Sequence, residues 1–167
     1  PPRASIRRQR QMCIRDRARS ALADSGMTLV GPESLVTGLE EASAAAEELA
    51  DRSLDLLVVF QATFADSTMV LSLAQALNAP LLLWAVPEAP SGGRLRLNSF
   101  CGVNLGAHAL ARRGRRYDYL YAPAEDAQAV QQVHLLARAG YAYRLLRGAR
   151  IGRVVHVRPS SVWSGCR

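Results

Sequence analysis

Two short runs, Leu56–Phe60 (LLVVF) and Leu81–Val86 (LLLWAV), contain no polar residue, and one helix-length segment lies between them. A strand with one wet face alternates apolar and polar side chains, whereas a run that is apolar throughout needs cover on both faces. Parallel strands joined by a crossover helix meet that need. Each run gives way to residues of another kind, Gln61-Ala62-Thr63 after the first and Pro87-Glu88 after the second. Ligands of parallel α/β sheets bind at the carboxyl ends of the strands, so this is where binding residues are sought.

The flanking segments extend the same alternation. Ala18–Ser25 reads as a short helix ended by Gly26, and Met27–Val30 as a strand closed by Gly31-Pro32. A helix over Gly38–Asp51 follows, with Thr37 and Glu40 as a capping box and Leu39, Ala42, Ala46 and Leu49 as its inward stripe. Asp66 or Ser67 caps the helix between the two apolar runs. Its inward positions are Met69, Leu73, Ala76 and Leu77, and Asn78 and Pro80 stop it. After a loop from Pro87 to Asn98, Ser99 caps a helix to Arg113 that Gly114 ends. Tyr117–Tyr121 reads as a strand, Glu125–Arg147 as a long helix that Gly140 can bend, and Ile151–Val155 as a last strand. The pattern predicts an α/β fold: a doubly wound parallel sheet of about five strands in a Rossmann-like layered sandwich, occupying residues 18–153.

The two ends break the pattern. Residues 1–17 hold six arginines and one acid, and RRQRQMCIRD within them resembles the translation of a sequencing-library adapter. They are expected to be a non-native, disordered tail. Residues 154–167 lose any period of 2 or 3.6 and are expected to be a second doubtful tail.

The formal charge of +7 is concentrated at that amino end, which argues against a nucleic-acid surface. The one internal basic cluster, Arg112, Arg113, Arg115 and Arg116, falls where a helix ends, and cations suit the helix dipole there. No run approaches the roughly 20 apolar residues of a membrane span. The three cysteines form no C-x-x-C and no disulfide framework, so a cytoplasmic setting is expected.

Chemistry-bearing motifs are sparse. Gly92-Gly93 lacks both the G-x-G-x-x-G context and a Walker lysine, as the chain has no lysine at all. No His lies within metal-ligand spacing of another, and no G-x-S-x-G elbow is present. Cys101 falls in the first turn of a helix, where thiolates are favoured, but small buried cysteines are commoner than reactive ones. Trp84 has two readings, a core aromatic or an edge residue that stacks on a sugar ring. Glu88 likewise is either a ligand contact or a solvated loop acid.

The block LLLWAVPE…GGRLRLNSFCGVNLGAHAL, Leu81 to Leu110, resembles the amino-terminal region of the L-fucose/L-arabinose isomerase-like family. DLLVVFQATFADSTMV, Asp55 to Val70, resembles that family's preceding strand and turn. The resemblance implies an amino-terminal domain fragment of a metal-dependent aldose–ketose isomerase. It implies Mn²⁺ in the full-length parent, an ene-diol mechanism, a small-molecule sugar substrate, and a homo-oligomeric parent without nucleic-acid or membrane partners. The metal ligands and the catalytic acid and base are expected outside this chain, so none is assigned to it. Supporting substrate contacts are expected from Gln61, Thr63, Phe64, Trp84, Glu88, Asn98 and Asn104, which lie at or after strand ends or on the following helix. The competing reading is a stand-alone α/β ligand-binding or interaction module without catalysis.

Overall fold

The computed structural model describes residues 3–89, 92–93, 95–150 and 152. Strand β2 (Leu81–Ala85) lies at the centre of the sheet, with every side chain 0–2 % exposed. It pairs in parallel with β1 (Leu57–Gln61) on one side and β3 (Asp118–Tyr121) on the other, giving the order β1-β2-β3. The remaining elements are helices: α1 (Arg3–Asp24), α2 (Leu39–Ala50), α3 (Ser67–Ala76), α4 (Ser99–Arg112) and α5 (Ala127–Gly148).

Period-two alternation sorts the strand residues between two cores. Leu57, Leu81, Leu83 and Ala85 meet Leu49 of α2, Val70 and Ala74 of α3, and Val103 and Leu110 of α4. Leu82, Trp84 and Leu120 meet Leu22 of α1 and Ala129 and Val133 of α5. Both faces of β2 are therefore covered, as its all-apolar sequence requires. Each fully buried leucine contributes on the order of 1.5–3 kcal/mol of transfer free energy. No described helix is long and apolar enough to cross a membrane.

The described residues form three strands rather than the five expected. Met27–Val30 forms no strand and pairs with none; Met27 and Leu29 rest against the second core while Val30 is 44 % exposed. Gly31, whose φ is 127°, turns the chain directly after this segment. The expected strand Ile151–Val155, apart from Gly152, and the tail 154–167 lie outside the described residues. Residues 3–17, expected to be disordered, are helical and continuous with α1. Six arginines and two glutamines dominate that stretch, and both residue types are good helix formers.

Helix details also shift. Gly38, not Thr37, is the N-cap of α2, and the Thr37 hydroxyl donates to the Glu41 carboxylate at 3.3 Å. Its buried stripe is Ala42, Ala45, Ala46 and Leu49, with Leu39 left 53 % exposed. Asp66 does cap α3, accepting from the Thr68 amide at 2.8 Å, and the inward side chains there are Val70, Ala74 and Leu77.

Gly140 sits within an unbroken α5. A Cβ there would lie 1.8 Å from the carbonyl oxygen of Asp55, so the missing side chain lets α5 lie against the residue pair that leads into β1. Arg144, one turn on, pairs with Asp55 at 2.8 Å across the same contact. That pair is well solvated and adds less than about 1 kcal/mol. Beyond Gly140 every residue of α5 is exposed, including Tyr141, Tyr143, Leu145 and Leu146. Gly140→Ala is expected to cost about 2–4 kcal/mol, because the new methyl meets backbone rather than a movable side chain. Urea unfolding of the variant measures this, and an unchanged midpoint contradicts the close approach.

Candidate functional site

The carboxyl ends of β1 and β2 are tied together by one hydroxyl. Ser99, only 2 % exposed, donates through Oγ to the Gln61 carbonyl and accepts from the Val86 amide at 3.0 Å. The sequence reading made Ser99 the cap of α4. In the structure the N-cap is Asn98, in the left-handed region at φ 54° and ψ 37°, with no side-chain capping bond. Asparagine tolerates that conformation better than most residues. The hydroxyl is thereby available to satisfy two main-chain groups where the sheet ends.

The loop after β1 grips the loop before α4. The Thr63 hydroxyl donates to the Leu97 carbonyl at 2.9 Å, and the Phe64 amide donates to the same oxygen at 2.7 Å. Glu88 holds that second loop from the other end. Its carboxylate accepts from the amides of Arg96 at 2.7 Å, Leu97 at 2.9 Å and Asn98 at 3.2 Å. Burial pushes the Glu88 carboxyl up, but the amides of Leu97, Asn98 and Arg96, with the charge of Arg96, outweigh it and hold the pKa below the ordinary 4.5.

Beneath these loops lies the Gln61 side chain. It is 6 % exposed, and neither its Oε1 nor its Nε2 has a hydrogen-bond partner. Gly102, in the first turns of α4, makes room for it. A Cβ at that position would fall 2.6 Å from Gln61 Oε1 and 2.9 Å from the Ala65 amide nitrogen. Gly106, one turn later, faces Val70 of α3 at 3.5 Å. Glycines at this spacing on one helix face were the sequence signal for a close approach. The sequence reading missed both this and the bridging role of Ser99.

Five of the seven residues singled out from sequence therefore meet in one place: Gln61, Thr63, Phe64, Glu88 and Asn98. Phe64 is 48 % exposed, and Thr63 and Asn98 are half-buried. Asn104 is exposed further along α4. Trp84 lies elsewhere. It is fully buried in the second core, edge-on to Phe60 at 5.2 Å, and its indole N–H donates to the Ala122 carbonyl at 3.0 Å. Of its two readings, the core aromatic is the one this geometry displays, since no ring face is open for stacking. Among the described residues, no group of three or more His, Cys, Asp or Glu side chains could hold a metal ion. Cys101 and His108 stand exposed on α4.

Comparison with known proteins gives this edge a context. Residues 4–142 match the family described as fucose/sulfoquinovose isomerase, N-terminal domain. The sulfoquinovose isomerase of Clostridium sp. (strain MSTE9) is 28 % identical over 130 residues, which cover 77 % of this chain and 28 % of that protein. That of Priestia megaterium (strain ATCC 12872 / QMB1551) is 28 % identical over 128 residues, covering 77 % and 26 %. That of Alkalicoccus urumqiensis is 26 % identical over 134 residues, covering 80 % and 30 %. The chain thus spans less than a third of the length of the curated relatives it matches.

The Glu88 clamp has a defined pH dependence. With a folded-state pKa held below the ordinary value, its contribution is fully present above the usual carboxylate range and is lost as pH falls through the lowered value. Glu88→Ala is expected to reduce hydrogen-exchange protection of the Arg96, Leu97 and Asn98 amides by about tenfold at neutral pH, the scale of a lost charge-assisted bond at a partly solvated site. Acidification below the folded-state pKa is expected to reproduce that loss in the unaltered protein. Unchanged exchange at those amides in both experiments would show that the carboxylate does not hold the loop.

Proposed function

The chain belongs to the fucose/sulfoquinovose isomerase N-terminal domain family, and from that membership we propose that it serves as the amino-terminal domain of a sugar ketol isomerase. The substrate favoured is a sulfonated hexose of the sulfoquinovose type rather than L-fucose or L-arabinose. The observation that carries this reading is the family match across residues 4–142, supported by relatives that are named as sulfoquinovose isomerases.

An aldose–ketose isomerisation moves a proton between C1 and C2 of the open-chain sugar, and a divalent ion such as Mn²⁺ would polarise the carbonyl and hydroxyl. The described residues do not fit such an ion, as no three candidate ligands are gathered. No step of the reaction is assigned to them. Metal, acid and base would be supplied by other parts of a longer, homo-oligomeric protein. The role of this domain is to shape and orient. Thr63, Phe64, Asn98 and Asn104 would offer contacts to the sugar from the carboxyl edge, with the Gln61 amide as an unsatisfied polar group behind them. Trp84 and Glu88 act at one remove, the first by anchoring β2 in the core and the second by holding the loop before α4.

A chimera tests the proposal. Residues 27–142 of this chain replace the corresponding segment of the Clostridium sp. sulfoquinovose isomerase, and turnover of sulfoquinovose and of L-fucose is measured. Retained turnover of sulfoquinovose, within about tenfold of the unaltered enzyme, is expected of a domain that positions rather than reacts. A folded chimera active only on L-fucose would overturn the substrate class. A folded chimera inactive on both sugars would overturn the role.

A further inference from the structure

At the amino end of the sheet, away from the loops described above, a cavity of about 500 Å³ opens beside the turn between α4 and β3. Arg115, Arg116, Tyr117 and Asp118 line it, together with Pro80. Two of the four clustered arginines of the sequence thus face one cavity, and Arg112 and Arg113 precede them in the chain.

The cluster falls at the end of α4 as expected, with Arg112 in the last turn and Arg113 as the C-cap, and main-chain bonds close the helix. The carbonyls of Leu110 and Ala111 accept from the amides of Arg113, Gly114 and Arg115 at 3.0 Å, in a turn closed by Gly114 at φ 66°. The Arg115 guanidinium reaches across instead. Its Nη2 donates to the carbonyls of Leu77 at 3.2 Å and Ala79 at 2.6 Å, which fixes the group, while its Nε is buried with no acceptor. Among the described residues none of the four arginines forms an ion pair, and Asp118 is the one carboxylate in the cavity lining.

We propose that this cavity binds a small multivalent oxyanion, either a phosphate ester or a polycarboxylate, between the fixed Arg115 and the exposed Arg116. The volume suits a small ligand. A guanidinium immobilised on one side loses little further freedom on binding an oxyanion, and its planar donors match oxyanion geometry. Arg112 and Arg113 add to the positive field that such an anion meets, a contribution that salt weakens. Pro80 and Tyr117 accommodate the apolar body of the ligand. The site is independent of the isomerase reading, since it lies at the opposite end of the strands.

The test is calorimetric titration of the full chain with pyrophosphate and, separately, with citrate at about 0.15 M salt, where long-range attraction is already screened. Saturable one-to-one binding of at least one anion is expected. Binding of pyrophosphate alone assigns a phosphate ester, binding of citrate alone a polycarboxylate, and binding of both a site selective for charge. An Arg112→Gln, Arg113→Gln, Arg116→Gln variant is expected to keep its unfolding midpoint and lose at least about tenfold in affinity, the scale of several partly exposed charge contacts. If the triple variant does not fold, Arg116→Gln alone is expected to show a measurable part of that loss. No saturable binding of either anion, or undiminished affinity in a folded variant, would overturn the proposal.

Discussion

The whole arrangement depends on a central strand that exposes nothing to water. β2 has no polar side chain to present and no face on which to present one, so it is stable only when helices cover both sides. That demand explains why α3 and α4 lie with α2 over one set of alternate residues, and α1 and α5 over the other. It also explains the small residues at the contacts. Ala42, Ala45 and Ala46 on α2, Gly102 and Gly106 on α4, and Gly140 on α5 each let a helix approach closely. The indole of Trp84 shows the same constraint at the scale of one side chain: its single polar atom is satisfied by a carbonyl just past the neighbouring strand.

Where the strands end, the chemistry changes from apolar packing to main-chain satisfaction. Ser99, Thr63 and Glu88 direct their polar atoms at backbone groups of neighbouring segments, and together they fix the loops that form the carboxyl edge. Gln61 is the exception, a buried amide with both ends unpaired, at the edge where parallel sheets place their ligands. The rim is thus hydrogen-bonded all round one unsatisfied polar group.

Much of this was legible in the sequence. The two apolar runs match β1 and β2 to within a residue, the Tyr117–Tyr121 reading matches β3, and of the two cap candidates Asp66 and Ser67 it is Asp66 that caps α3. The family resemblance rested on the segments that build the carboxyl edge. The errors have physical sources. Met27–Val30 has the composition of a strand, but its burial is one-sided and it gains no partner, which composition does not reveal. Ser99 was placed as a helix cap because serine favours that position, yet tertiary contacts used its hydroxyl for two strand ends and left capping to a left-handed asparagine. Thr37 failed as a cap for a related reason, as Gly38 could adopt the extended N-cap geometry directly after it. Glu88 could be read only as a ligand contact or a solvated acid, because no local pattern announces three amides converging from eight to ten residues downstream.

That convergence has a consequence for how this family can diversify. The carboxylate fixes the root of the loop at residues 96–98, and with it the point at which the chain enters α4. A single residue added at that root would throw the three amides out of register with the carboxylate and shift the start of the helix.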